Sequence, residues 1–110
     1  STSKAALLMM IRQLSIEWGT DGIRCNTVSP GPTYTPMTAA GYSDPTARDK
    51  REANIALHKL GTAEEVANAI LFLISPLASH ITGIDVLVDG GMSNMLMPAS
   101  GGGTGQKRQN

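Results

Sequence analysis

The sequence is poor in cysteine and aromatic residues and has no surplus of either charge, and each shortage excludes a class of protein. Its one cysteine, Cys25, cannot form an internal disulfide, which suits a reducing compartment such as the cytoplasm. Its nine basic residues only balance nine acidic ones, whereas nucleic-acid binding ordinarily needs a basic surplus. No apolar run approaches the ~20 residues that span a bilayer. We therefore expect a cytoplasmic protein with no nucleic-acid and no membrane partner.

Aromatic residues make up only 4% of the 110 residues, so aliphatic side chains and methionine must build the core. Hydrophobic residues nevertheless make up 41%, which is enough for one small domain and argues against extensive disorder. The last ten residues differ, because they contain four glycines and no apolar side chain. We interpret residues 94–110 as a C-terminal tail and predict that 101–110 are disordered.

The helix predicted over residues 3–18 is apolar on two sides. One face carries apolar side chains at helical spacing, at Leu7, Ile11, Leu14 and Trp18. A second apolar strip runs beside it from Ala5 to Ile16, and we expect Gly19 to end the helix in a left-handed conformation. A helix with two apolar sides is buried on both. We expect one side to face its own sheet and the other to face a second copy of the chain.

A second helix is predicted over Thr62–Ser75, and a shorter, exposed one over Thr46–Asn54. Thr62 and Glu65 have the spacing of a capping box at the start of the longer helix, and Pro76 ends it. The buried face of this helix is predicted to consist of Val66, Ile70, Leu73 and Ile74.

Two short strands are predicted, Ile23–Val28 and Ile84–Val88. Between them, Pro30, Pro32 and Pro36 predict an irregular loop. The order helix, strand, loop, helix, strand is half of an alternating pattern that builds a parallel sheet covered by helices. Because two strands cannot form a stable sheet of this kind alone, we expect further residues of an α/β domain upstream.

The loop after the first strand is a candidate binding site, because ligands of open α/β sheets bind beyond the carboxyl ends of the strands. Gly31 lets a flat ligand approach the backbone, and we expect the amides of Gly31, Thr33 and Thr35 to be available to it. The alternative is a proline-rich surface turn with no ligand. Lys4 is likewise either a solvated side chain or an ammonium aimed at a ligand or an acidic group. No metal site is expected, because metal-ligand spacing is lacking among Cys25, His58 and His80.

Four segments carry motifs along the chain: STSKAAL at 1–7, GIRCNTVSPG at 22–31, LGTAEEVA at 60–67 and ITGIDVLVDGG at 81–91. The first resembles the residues that follow the tyrosine of a Tyr-x-x-x-Lys motif, with Lys4 as the lysine. In this order and at this spacing, the four resemble the short-chain dehydrogenase/reductase family over residues 1–93. The sequence departs from the family at Thr33, where an aliphatic residue is usual, and at Ala63, where proline is common.

The resemblance implies an α/β chain that forms the C-terminal part of a doubly wound parallel-sheet (Rossmann) NAD(P)-binding domain. It implies an oxidoreductase that transfers a hydride between NAD or NADP and a small-molecule alcohol or carbonyl substrate. It also implies a homodimer or homotetramer, in which residues 38–60 would form the lid over the substrate. The alternative is a non-catalytic fragment or degraded copy that acts only in subunit assembly.

The resemblance further implies roles for individual residues. Lys4 would hydrogen-bond the nicotinamide ribose and lower the pKa of a tyrosine expected just before Ser1. The loop that begins at Pro30–Gly31 would hold the nicotinamide ring. Backbone groups of Thr33 would bind its carboxamide, and Thr35 would contact the carboxamide or the pyrophosphate.

Overall fold

The computed structural model describes residues 2–95, in which helices are interspersed with short parallel strands. The elements are α1 (Thr2–Trp18), β1 (Thr27–Pro30), β2 (Thr33–Tyr34), α2 (Pro45–Ala53), β3 (Gly61–Thr62), α3 (Ala63–Ile74), β4 (Asp85–Val88) and α4 (Met92–Met95). The predicted order of helix, strand, loop, helix and strand is confirmed, with two short strands and one short helix added. The predicted tail begins within α4, and residues 101–110 lie outside the described part of the chain.

The longer pair of strands, β1 and β4, is parallel and places Thr27 beside Asp85. The strand predicted over Ile23–Val28 instead begins at Thr27 and ends at Pro30. Before Thr27 a side-chain bond takes the place of one ladder bond, because the Cys25 amide donates to the hydroxyl of Thr82, while the Cys25 carbonyl still accepts from the Gly83 amide at 2.7 Å. Pro30 fits at the end of β1 because, in residues 2–95, this strand pairs on one side only.

A second parallel pair, β2 and β3, lies inside the segment that the prolines predicted to be irregular. Thr33 aligns with Gly61, and the Gly61 amide donates to the carbonyl of Pro32 at 3.0 Å. The prediction of an irregular loop is therefore wrong at Thr33 and Tyr34. Proline removes only its own amide, so the amides of Thr33 and Tyr34 between Pro32 and Pro36 remain able to pair.

Helix α1 agrees with its prediction to within one residue, but its end is made differently. Gly19 begins a 3₁₀ turn, and the left-handed residue is Gly22, with φ of 76°. The side chains of α1 that are partly covered are Leu8, Ile11, Leu14 and Ser15. On its other side Met9 and Ile16 are 62% and 73% exposed, which leaves the second apolar face uncovered.

No helix within residues 2–95 has the length and apolar character needed to cross a bilayer.

The core has two parts, one where the 38–60 segment meets the end of β4 and one at the end of α3 and in the turn after it. The buried hydrophobic residues are Ile55, Leu60, Leu73 and Ala78. Of the face predicted for α3, only Leu73 is buried, while Ile70 and Ile74 are 44% and 70% exposed. The prediction for those two residues is wrong because the described sheet has only two strands on this side and cannot cover the helix.

Local motifs set the starts of α2 and α3, and the one at α3 is the capping box that the sequence predicts. Asp44 caps α2 by accepting a hydrogen bond from the Thr46 amide at 3.1 Å. Thr62 and Glu65 form both bonds of the capping box that begins α3. The segment between these helices folds back so that the Leu57 amide donates to a carbonyl just after β4, at Gly90.

Candidate functional site

Lys4 lies in the first turn of α1 and reaches the carboxyl end of β1. Its Nζ donates a hydrogen bond of 2.7 Å to the hydroxyl of Ser29, which is buried with 9% of its surface exposed. This contact favours the second interpretation of Lys4, as an ammonium aimed inward at a polar group.

Asp85 accepts hydrogen bonds from both hydroxyls on the facing side of β1. The hydroxyls of Thr27 and Ser29 donate to its Oδ1 at 2.6 and 2.7 Å. Partial burial raises the pKa of Asp85, but the two hydrogen bonds and the charge of Lys4 lower it by a larger amount. The pKa of Asp85 therefore lies below its ordinary value. Asp85 is therefore held as a carboxylate and is linked to the Lys4 ammonium by two hydrogen bonds through the Ser29 hydroxyl.

The loop that leaves β1 touches the loop that leaves β4. The Gly31 amide donates to the Val88 carbonyl at 3.0 Å. A Cβ on Gly31 would lie 2.6 Å from Cβ and 2.8 Å from Cα of Asp89, so only glycine fits there. Lys4, Pro30 and Gly31 line one cavity of about 270 Å³, to which Asp89 also contributes.

Asp89 stabilises the turn after β4. Its carboxylate accepts from the Gly91 amide at 2.9 Å and from the Ser93 amide at 3.0 Å. Hydrogen bonding to Ser93, and more weakly to Gly91, holds the pKa of this carboxyl below its usual value, although partial burial opposes the shift. The carboxylate thereby caps α4 and shapes one wall of the cavity.

The two other predicted site residues, Thr33 and Thr35, lie further along the loop and do not line this cavity. Thr38, which the sequence did not single out, holds them: its hydroxyl donates to the Thr33 carbonyl at 2.8 Å and accepts from the Thr35 amide at 2.9 Å. The expectation of available amides is wrong for Gly31 and Thr35, because both donate within the protein.

Asp85 is a site residue that the sequence analysis does not single out. It is the only charged residue of β4, and a charged residue in an otherwise apolar strand is the pattern that could have marked it, because a buried charge needs partners. Within residues 2–95, no three residues among His, Cys, Asp and Glu come together in a group that could hold a metal ion.

Curated relatives cover most of this chain and about a third of their own length. The family model described as enoyl-(acyl carrier protein) reductase matches residues 1–93. A 3beta-hydroxysteroid dehydrogenase 1 from Eggerthella lenta is 40% identical, over 84% of this chain and 36% of that protein. A 2,3-dihydro-2,3-dihydroxybenzoate dehydrogenase from Escherichia coli is 42% identical, over 81% of this chain and 39% of that protein.

Solved structures give the same fold. A 4-hydroxyisoleucine dehydrogenase complexed with NADH is similar with a TM-score of 0.78 and 32% identity, over 84% of this chain and 38% of that one. An oxidoreductase from Burkholderia thailandensis, described as a short-chain dehydrogenase/reductase, is similar with a TM-score of 0.76 and 39% identity, over 84% and 36%. The motifs, the parallel strand pairs and these similarities agree: the chain has an α/β fold of the Rossmann type and belongs to the short-chain dehydrogenase/reductase family.

Proposed function

We propose that this chain is the C-terminal part of an NAD(P)-dependent oxidoreductase that interconverts a small-molecule alcohol and its carbonyl compound. The observation that carries the proposal is the position of Lys4, whose ammonium points to the end of β1 beside the Pro30–Gly31 loop. The named dehydrogenases among its relatives and the NADH complex of a structural neighbour support the same chemistry. With one cysteine in 110 residues, the chain suits a cytoplasmic enzyme.

The residues at this end of the strands fit a nicotinamide nucleotide. An ammonium is a donor for ribose hydroxyls, and the cavity beside it has about 270 Å³. Gly31 leaves the backbone bare where a Cβ would collide with the next loop. When bound, NAD or NADP supplies or accepts the hydride. In the proposal, Lys4 holds the ribose, the Pro30–Gly31 loop lies against the ring, and Thr33 and Thr35 contact the carboxamide end.

The second part of the proposal concerns proton transfer. A tyrosine directly before Ser1 would stand four residues from Lys4, on the same face of the extended helix α1. A phenol with an ordinary pKa near ~10 is a poor base at neutral pH, and a neighbouring ammonium favours the phenolate. Lys4 would thus hold the cofactor and assist the tyrosine that exchanges a proton with the substrate oxygen.

Residues 38–60 are proposed as the lid over the substrate. Arg48 of α2 lies 5.4 Å from the ring centre of Tyr34, and Tyr42 lies 6.4 Å from the same ring. These contacts connect the segment to the loop that would hold the nicotinamide.

The test of the function is Lys4→Met in the intact protein. We expect turnover to fall by at least ~100-fold, the low end of general acid–base contributions, and the Kd for the cofactor to rise. Arg12→Met, which replaces an exposed basic side chain about two turns further along α1 and outside the proposed lid, is the control and should keep its turnover. Near-normal turnover of the Lys4→Met enzyme would overturn the catalytic assignment and leave the alternative of a non-catalytic chain that acts in assembly.

The uncovered apolar faces favour assembly with copies of the same chain. Met9 and Ile16 on α1, and Leu71 on α3, are each more than half exposed. We propose that these faces form the contacts of a homodimer or homotetramer, which light scattering of the intact protein at micromolar concentration would detect. Ile16→Glu should shift the mass toward the monomer, whereas Met37→Glu, outside both faces, should not. A monomeric wild-type protein would contradict this proposal.

A further inference from the structure

We propose that Asp85, acting through the hydroxyl of Ser29, is a positioning residue that holds the Lys4 ammonium at the carboxyl end of β1. The proposal concerns a chain of two hydrogen bonds that links β4, β1 and α1. Its consequence for turnover rests on the function proposed above for Lys4, while the link itself does not.

The chemistry of the three groups determines the direction of both bonds. A carboxylate can only accept, so the single hydroxyl proton of Ser29 must be the donor in the 2.7 Å bond to Asp85. An ammonium can only donate, so Lys4 must supply the proton of the 2.7 Å bond to Ser29. Ser29 is thereby locked with its lone pairs toward Lys4. A hydroxyl without the carboxylate behind it could rotate and present its proton instead.

The backbone register brings these groups together. Thr27 is aligned with Asp85, and Ser29, two residues further on, lies on the same face of β1. Helix α1 covers that face: Lys4 contacts Ser29 at one end, and a Cβ on Gly83 would lie 2.7 Å from the Ser15 hydroxyl at the other. Polar groups between a helix and a sheet are costly unless each is bonded; here the two hydroxyls donate to Asp85, and Lys4 donates to one of them, Ser29.

A purely structural role is the competing explanation, since the Thr27–Asp85 bond joins the two strands without Lys4. The two explanations differ in what they predict for Ser29. If Asp85 only joins strands, its replacement affects stability whether or not Ser29 has a hydroxyl. If Asp85 acts on Lys4, its effect must pass through Ser29 and vanish when that hydroxyl is absent.

The test is a double-mutant cycle in the intact protein with Ser29→Ala, Asp85→Asn and the two combined. Asparagine keeps an oxygen that accepts from both hydroxyls but removes the charge that fixes the Ser29 proton. We expect each single variant to lower kcat by about tenfold, near the most that one net hydrogen bond supplies. The combined variant should be no slower than Ser29→Ala alone.

A second readout needs neither cofactor nor turnover. Lysine-selective ¹H–¹⁵N NMR of the protein without cofactor should detect the Lys4 ammonium, because its bond to Ser29 slows proton exchange; Lys4→Met assigns the signal. We expect the signal to broaden beyond detection in Ser29→Ala and in Asp85→Asn. Ser29→Thr keeps the hydroxyl and should retain both the signal and most of the turnover.

Thr82→Val is the matched control. Its hydroxyl also joins the segments around β1 and β4, by accepting from the Cys25 amide at 3.0 Å, but it has no contact with Lys4. It should lower the melting temperature and leave kcat and the Lys4 signal unchanged.

Three results would overturn the proposal: an unchanged Lys4 signal in Asp85→Asn, a kcat within twofold of wild type in that variant, or kcat losses that multiply in the double variant. Failure of the proposed function looks different, because Lys4→Met would then keep its turnover while the NMR signal still responds to Asp85. If Ser29→Ala or Ser29→Thr does not fold, the Asp85→Asn signal and kcat decide alone.

Discussion

The β1–β4 pair and the β2–β3 pair are both parallel, but different bonds hold them. Side chains tie the first pair together across 56 and 58 residues of sequence, through the hydroxyls of Ser29 and Thr27 and the carboxylate of Asp85. The second pair has two residues in each strand and is joined by backbone bonds, such as that from the Gly61 amide to the Pro32 carbonyl, while side-chain bonds around Thr38 and at Thr62 stabilise the chain beside each strand.

The β1–β4 pair places polar side chains at the candidate site, whereas the β2–β3 pair determines the path of the chain on either side of it. The β1–β4 pair brings Lys4 and the Pro30–Gly31 loop to one cavity, so under the proposed function its side chains affect both stability and cofactor binding. The β2–β3 pair sets where the loop after Pro32 goes and where α3 begins. Substitutions in the first pair should therefore change stability and ligand binding together, whereas those in β3, which the proposal does not place against the cofactor, should change stability alone.

The largest effect is expected for Gly31→Ala, at the contact between the two loops of the first pair. The new Cβ would come within 2.8 Å of a backbone atom of Asp89, which has to move. We expect the free energy of unfolding of the intact protein to fall by about 1–3 kcal/mol, as for other overpacked sites, and cofactor binding to weaken with it. Denaturant titration and a cofactor Kd measure the two effects.

Gly19→Ala is the control for this substitution, since a Cβ there meets nothing within 4 Å. It should change the free energy of unfolding by no more than about 0.5 kcal/mol. Equal stabilities of the two alanine variants would contradict the close approach of the β1 and β4 loops.

The sequence predicts the parts of the fold that depend on local contacts better than the parts that depend on contacts between distant residues. The capping box of α3 and the order of helices and strands depend on residues close together in sequence, and their predictions are confirmed. The ends of β1 depend on its register with a strand nearly sixty residues away, and their prediction is wrong. Burial of Ile70 and Ile74 depends on what covers α3, which periodicity alone cannot reveal.

The site was predictable only in part for the same reason. Lys4 and the Pro30–Gly31 loop belong to local motifs, and the structure brings them to one cavity. The partners that hold Lys4 are distant from it in sequence. Its ammonium donates to Ser29, and Ser29 in turn donates to Asp85. No spacing in the sequence specifies that these two residues face each other.

A smaller effect is expected in the second pair, for Thr62→Ala. The substitution removes the hydroxyl that accepts from the Glu65 amide at 3.1 Å and leaves that amide without its cap. We expect a loss of about 1 kcal/mol in the free energy of unfolding, with cofactor binding unchanged. Thr20→Ala, in the exposed turn after α1, controls for the loss of a threonine side chain. A weakened cofactor Kd in Thr62→Ala would remove the distinction between the two pairs.

The smallest effect is the pH dependence that Asp85 gives the first pair. Burial raises the pKa of this carboxyl, but bonds from Thr27 and Ser29 and the charge of Lys4 lower it by more, so the folded value lies below that of the unfolded chain. Its contribution to stability is therefore fully present above the unfolded pKa of about 3.9 and is lost as the pH falls through the folded pKa. The melting temperature of wild type should exceed that of Asp85→Asn from neutral pH down to about pH 5, and the gap should close below about pH 3.9.

Asp89, whose pKa is also lowered, is present in both proteins and cancels in the difference. Asp21→Asn, in the exposed turn after α1, controls for the loss of one charge. A gap that stays constant from pH 6 to pH 3 would mean that the two hydroxyls bind the side chain without regard to its charge, and the β1–β4 pair would then differ from the β2–β3 pair only in length.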